Sequence, residues 1–171
     1  MLLNLDSVPA AYKNYVKHID EPDLLQALRI SGHRMQELVH SIPAAKTDWA
    51  YAPGKWTIRE VLCHIMDAEW IFAYRALRFA RNDKTALSGF EENDYAPQAN
   101  ASGRSLQKIA SEMAHLRAST IDLFESFTPE MLSRKGTASG KEISVVTLGF
   151  VIPGHETHHR KILQERYLIA K

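Results

Sequence analysis

Four stretches of this chain repeat their apolar residues every three or four positions, the spacing that gathers side chains onto one face of an α-helix. No segment shows a convincing alternation of the kind a half-buried strand needs. An all-α fold follows, with the loops between the four stretches left to decide its topology.

The first stretch runs from Pro22 to His40 and aligns Leu24, Leu25, Leu28, Met35, Leu38 and Val39, with Pro22 suited to a first turn and Ile42-Pro43 ending it. The second opens on Thr57-Ile58-Arg59-Glu60, a capping box in which the Thr hydroxyl and Glu carboxylate satisfy free amides, and is expected to reach about Arg81. The third aligns Leu106, Ile109, Ala110, Met113, Leu116, Ile121, Leu123 and Phe124 and closes at Thr128-Pro129, before a loop around Gly136 and Gly140. The fourth spans about Ser144 to Leu168, and its Gly149 and Pro153-Gly154 make either a kink or a start near Pro153 expected.

Between the second and third stretches, Gly89, Asn93-Asp94, Pro97, Asn100 and Gly103 break up residues 82–103, giving a long irregular crossover. Four amphipathic helices without an internal repeat predict a four-helix bundle. The length of 171 residues, 45% of them hydrophobic, suits one domain over residues 1–171 with a sizeable core.

Charge narrows the partners. With 21 basic and 20 acidic residues and no long run of either sign, the chain has no footprint for a phosphate backbone or an anionic membrane. Met1-Leu2-Leu3-Asn4-Leu5-Asp6 has no basic leader region, and no apolar run approaches the roughly 18 residues of a membrane span, so a soluble cytoplasmic protein is expected. Cys63 is the only cysteine, which excludes an intramolecular disulfide and a cysteine-rich zinc site, and it reads as a small buried side chain.

The chemistry concentrates in Gly154-His155-Glu156-Thr157-His158-His159. His155-Glu156-Thr157-His158-His159 matches the H-E-x-x-H of a zinc protease, with His155 and His159 as the histidine pair and Glu156 between them. A protease of that type takes a further ligand downstream, and the twelve residues after His159 hold no histidine and only Glu165 as an acid. The protease reading therefore recedes. The pair remains, because residues four apart on a helix lie about 6 Å from each other and converge on one ion.

A third ligand must come from elsewhere, and His64 stands in line with Val61, Ala68, Ile71 and Arg75 on a face that is otherwise largely core-directed. Leu148, Ile152, His155, His159, Ile162 and Leu163 form a comparable row. One shared ion would satisfy all three imidazoles, while hydrogen bonding of separate histidines inside a core accounts for the same spacing. His158 is the competing ligand, but it falls with Val151, Gly154, Lys161 and Glu165 on a face read as more solvent-directed. His18, His33, His40 and His115 have no paired spacing and stay outside the site.

Around these residues, Glu156 points about 100° away from the ligand row, which favours a surface role or one orienting a ligand over that of a base. Asp67 and Glu60 are placed to accept an imidazole N–H from His64, Glu60 being better explained as a cap. Arg75 suits either an anionic substrate or, the commoner use, a carboxylate within the bundle. Asp94 and Tyr95 are candidates for the pocket mouth, and Trp56 and Trp70 read as packing residues.

Trp56-Thr57-Ile58-Arg59-Glu60-Val61-Leu62-Cys63-His64-Ile65, followed late in the chain by Gly154-His155-Glu156-Thr157-His158-His159-Arg160, resembles the DinB-like (DinB/YfiT-like) superfamily. The resemblance extends from roughly Leu24 through Tyr167. It implies a four-helix bundle with a metal triad at His64, His155 and His159, binding a divalent ion such as zinc or nickel. It also implies a metal-dependent thiol S-transferase or hydrolase acting on a small molecule, with a low-molecular-weight thiol as one cosubstrate class and a homodimer as the assembly. The other outcome within the same resemblance is a metal-binding stress or interaction protein that turns nothing over. Neither nucleic acid nor a membrane is an expected partner.

Overall fold

The structure, a computed structural model, describes residue 3 and residues 5–169. The expected domain of residues 1–171 extends slightly beyond these, and Met1-Leu2, Asn4 and the last two residues lie outside the description. Helices α1 (Ala10–Val16), α2 (Leu24–Ser41), α3 (Ile58–Ala80), α4 (Glu92–Tyr95), α5 (Leu106–Glu125), α6 (Pro129–Ser133) and α7 (Val145–Ile162) are joined by one hairpin, β1 (Lys135–Ala138) with β2 (Lys141–Ser144). The four long helices are the four amphipathic stretches.

Their packing gives the bundle its order. α3 packs on α7 and α5, and α2 packs on α5 and α7, so the ring reads α2, α5, α3, α7. The first two long helices therefore stand diagonally opposite, which a simple up-and-down chain of neighbours would not produce. The short α1 lies against α7.

Each long helix begins on a side chain that accepts an otherwise unpaired amide: Asp23 from Gln26, Thr57 from Glu60 in a full capping box, Ser105 from Lys108 and Ser144 from Thr147. Pro22 thus lies before the cap of α2 rather than in its first turn. α3 ends as expected, with Arg81 as cap and Asn82 in the left-handed region at φ 62°. α7 runs unbroken from Val145 with Pro153 inside it, so the helix does not start at the proline. A π-helical turn, Leu163–Tyr167, continues it.

Two features depart from the expectation. The segment around Gly136 and Gly140 is a hairpin rather than a loop, closed by Ser139 and Gly140 with φ of 50° and 71°. A side chain at Gly136 would place its first carbon 2.2 Å from the Phe79 ring, so the strand needs glycine where a strand signal would want a β-branched residue. Leu87 bridges to Ala138, with Leu87 N–H donating to the Thr137 carbonyl at 2.9 Å and Ser139 N–H donating to the Leu87 carbonyl at 3.0 Å. The crossover, irregular as expected apart from α4 and two 3₁₀ turns, is thereby tied to the hairpin.

The core is divided. One apolar cluster holds Leu28, Phe72, Phe79, Phe124 and Leu148, and the other holds Met35, Leu62, Ile65, Ile109 and Leu163. Along every long helix the passage from one cluster to the other crosses buried polar residues: Ser31 on α2, His64 and Glu69 on α3, Arg117 and Thr120 on α5, His155 and Glu156 on α7. A polar layer crosses the middle of the bundle; Ser31, Glu69, Arg117 and Glu156 bond to one another within it, while the Thr120 hydroxyl has no hydrogen-bond partner among the described residues.

Candidate metal centre

His64 comes from the second turn of α3, held in place by the Thr57–Glu60 capping box beneath it, and His155 and His159 come from successive turns of α7. The extensive α3–α7 contact brings the two helices together at this level. The Nε2 atoms of His64 and His155 are 3.0 Å apart, and those of His155 and His159 are 3.1 Å apart. All three residues offer a ring nitrogen within 4.8 Å of one another.

This arrangement is hard to satisfy with protons alone. An imidazole nitrogen carries either one hydrogen or one lone pair, so a single N–H can serve only one of the contacts made by His155 Nε2. Burial also disfavours charging the rings. It lowers His64 to about 4; together with His64 and His158 it lowers His159 to about 3, and His155 is held well below the usual histidine range by burial and then by His159 and His64. Neutral rings with converging lone pairs are the form that binds a metal. Two imidazoles holding a tetrahedral zinc at about 2.0–2.1 Å stand roughly 3.3 Å apart, close to the spacing found here.

The rings sit in an aromatic frame. Trp56 lies 4.8 Å from His64 between ring centroids, Tyr15 of α1 lies 5.2 Å from His155, and Phe72 lies 6.0 Å from His155. Tyr167 O–H donates to the Trp56 carbonyl at 2.8 Å, so the π-helical turn fixes that side of the frame. A cavity of about 370 Å³ opens on the three histidines, within the size range of small-molecule sites. Tyr12, Arg75, Phe90, Glu92 and Ser139 complete its walls.

The flanking residues divide. His158 is partly buried rather than turned to solvent, lining the same cavity with its ring stacked on His18 and 5.4 Å from Tyr15, yet it lies outside the cluster of three. Its supposed solvent face is covered by α1: a side chain on Gly154 would meet the Tyr15 carbonyl at 2.6 Å. Glu60 caps α3, accepting from the Thr57 amide at 2.7 Å. Asp67 is raised by burial, with Arg104 opposing and Glu112 reinforcing, and makes no hydrogen bond to His64 among the described residues. Trp56 packs as expected, whereas Trp70 is 54% exposed. Phe90 and Glu92, rather than Asp94 and Tyr95, represent the crossover in the cavity wall.

Glu156 is neither on the surface nor beside the ligands. At 4% exposure it accepts from Ser31 O–H at 2.6 Å and pairs with Arg117 at 3.0 Å. Arg117 also binds Glu69 through Nε and Nη2, at 2.9 and 2.8 Å. Burial alone would lower this guanidinium, but Glu156 and Glu69 raise it above its ordinary value. The glutamate that would be the base of an H-E-x-x-H protease is thus committed to an ion pair in the bundle interior. The signal for this network was present: Glu69 and Arg117 each interrupt an apolar helix face. Tyr12, Tyr15 and Val16 on α1, also at helical spacing, carried the signal for the missing wall.

Comparison with known proteins follows the same lines. Residues 27–163 match the family described as the DinB superfamily. A Geobacillus thermodenitrificans protein named "Putative metal-dependent hydrolase" is 24% identical over 144 residues, 82% of this chain and 80% of that protein. Among solved structures, YfiT from Bacillus subtilis, described as a probable metal-dependent hydrolase with an unusual four-helix bundle topology, superposes with a TM-score of 0.75 at 17% identity, covering 83% of this chain and 82% of its own. A mycothiol-dependent maleylpyruvate isomerase gives 0.67 at 12% identity, covering 99% of this chain and 65% of that one. These likenesses establish the fold.

Proposed function

The chain belongs to the DinB superfamily, and on that premise we propose that it is a divalent-metal-dependent enzyme acting on a small molecule, by hydrolysis or by transfer of a thiol. His64, His155 and His159 are the metal ligands in this reading, with zinc or nickel as the ion. The observation that carries it is the convergence of the Nε2 atoms of buried His64 and His155 and half-buried His159 in the lining of one cavity. The names of the Geobacillus protein and of YfiT support a metal-dependent hydrolase, and that of the isomerase supports a thiol as cosubstrate.

Three imidazoles leave at least one coordination position free, unlike a closed structural site. A divalent ion held there supplies Lewis acidity that brings water or a thiol toward ionisation near neutral pH. The chain's own residues do the rest. The neutral rings of His64, His155 and His159 present lone pairs without a competing proton, Trp56 and Tyr15 wedge them in orientation, and Phe72 keeps the floor of the cavity apolar. Glu156 takes no part in proton transfer because Ser31 and Arg117 hold its carboxylate outside the cavity wall. A homodimer belongs to the same reading; the exposed Trp70 and Tyr74 on α3 support a covered face there.

Metal analysis of purified wild type and His64→Ala tests the ligand set: one ion per chain in the wild type and a loss of at least a hundredfold in affinity in the variant are expected. Unchanged stoichiometry and affinity in the variant would refute it. Electrophiles offered with bacillithiol, mycothiol, glutathione or coenzyme A, beside ester and amide substrates, separate transferase from hydrolase. Metal binding without turnover in either panel would point to a binding protein.

A further inference from the structure

Among the described residues two arginines are buried, and they are treated differently. Arg117, at 6% exposure, is neutralised by Glu69 and Glu156. Arg75, at 3% exposure, is held only by neutral groups: its Nη2 donates to the Ser88 carbonyl at 2.8 Å and to the Ser139 hydroxyl at 3.1 Å, and Tyr12 approaches with its phenol. Among the described residues no carboxylate lies within ion-pair distance of it. A buried cation without a counter-charge is costly, and burial accordingly lowers Arg75 from its ordinary value.

The position of this charge gives it a use. Arg75 follows His64 by three turns of α3, about 16 Å along the axis, and nearly in line with it. Long helical side chains lean toward the N-terminus, so Arg75 leans back toward the histidines. Both residues line the same cavity, with Phe72 between them: the Arg75 guanidinium is 6.0 Å from the Phe72 ring, which is itself 6.0 Å from His155. Glu92, the acid in the same wall, is exposed at the rim and its field is screened by water.

We propose that the substrate of this site carries a carboxylate, which Arg75 receives at the end of the cavity remote from the three imidazoles. A carboxylate would accept a charge-assisted hydrogen bond from the guanidinium, and a second one by displacing the Ser139 hydroxyl, which lines the cavity, from Nη2. Tyr12, Phe72 and Phe90 surround the stem between the carboxylate and the reacting group, which favours an aromatic or short aliphatic spacer. The assignment rests on the cavity being the substrate site of the metal-dependent reading above, and its test does not need turnover.

Binding of 3-phenylpropionate and of its uncharged analogue 3-phenylpropanamide to the purified, zinc-incubated protein decides it, measured by calorimetry. The acid should bind at least tenfold tighter than the amide to wild type. Arg75→Met should abolish that preference, and Arg75→Lys should retain part of it. Circular dichroism identifies a variant that fails to fold, in which case the wild-type comparison and Arg75→Lys still decide. Equal binding of acid and amide by wild type, no binding of the acid, or a preference that survives Arg75→Met would overturn the assignment, the last by placing the carboxylate on zinc. Zinc stoichiometry on the same samples reads the metal centre separately: an absence of zinc with the Arg75-dependent preference intact removes the metal reading and leaves this one standing.

Discussion

His64 and His155 bring their Nε2 atoms to 3.0 Å across 91 positions of the chain, and His155 repeats the contact with His159 at 3.1 Å. His155 is therefore the shared member of both close contacts. Its replacement by glutamine should weaken zinc binding by at least a hundredfold while keeping the buried volume nearly filled, and should do so at least as strongly as His159→Gln. Competition with a chromogenic chelator measures both.

Trp56 offers an internal reporter, because its ring lies 4.8 Å from that of His64 while Trp49 and Trp70 are exposed elsewhere. Titration with cobalt(II) should quench part of the tryptophan fluorescence with saturation at one equivalent. Trp56→Phe should remove that quenched part and leave cobalt affinity within a fewfold of wild type. Quenching that persists in Trp56→Phe would place the ion elsewhere.

The metal-free protein should lose stability on mild acidification. His64 and His159 are lowered by burial from 6.5 to about 4 and about 3, and His155 is lowered well below 6.5 for the same reason. As pH falls, the unfolded chain takes up protons before the folded one, so this contribution is intact above about 6.5 and declines as pH drops toward the folded values. Glu156 and Asp67, raised by burial, act in the opposite direction. Urea unfolding between pH 7.5 and 5 should thus show a steeper loss for wild type than for His155→Gln, which keeps both carboxyls. Parallel slopes would contradict the assigned burial of the ring.

Arg117→Met should destabilise the fold by about 3–5 kcal/mol, because it leaves Glu69 and Glu156 buried without their cation. Adding Glu156→Gln to that variant should restore part of the loss by removing one of the two stranded charges. Chemical denaturation of the single and double variants measures the recovery, and a double variant no more stable than the single would argue against the paired network.

The bundle was legible because its four helices are each long enough for a 3.6-residue pattern to stand out, and the capping box at Thr57–Glu60 fixed where α3 begins. The convergence of His64 with His155 and His159 was legible as two inward rows, but not the ring order of the helices, since any of several packings buries the same faces. Glu156 was misjudged because helical phase relative to His155 says only that it points elsewhere, and elsewhere proved to be Arg117 across the interior. The hairpin escaped notice because its strands hold four residues each and one of them needs Gly136 against Phe79. α1 contains only seven residues, too few for its period to outweigh the loop residues around it.

The Arg75 end of the cavity is closed by Ser139, at the tip of a hairpin fastened to the crossover through Leu87. The imidazoles, by contrast, stand on the two helices with the deepest mutual packing. Exchanges at that turn would reshape the Arg75 end of the cavity while α3 and α7 keep their register, so one wall of the pocket is free to vary without moving the three imidazoles.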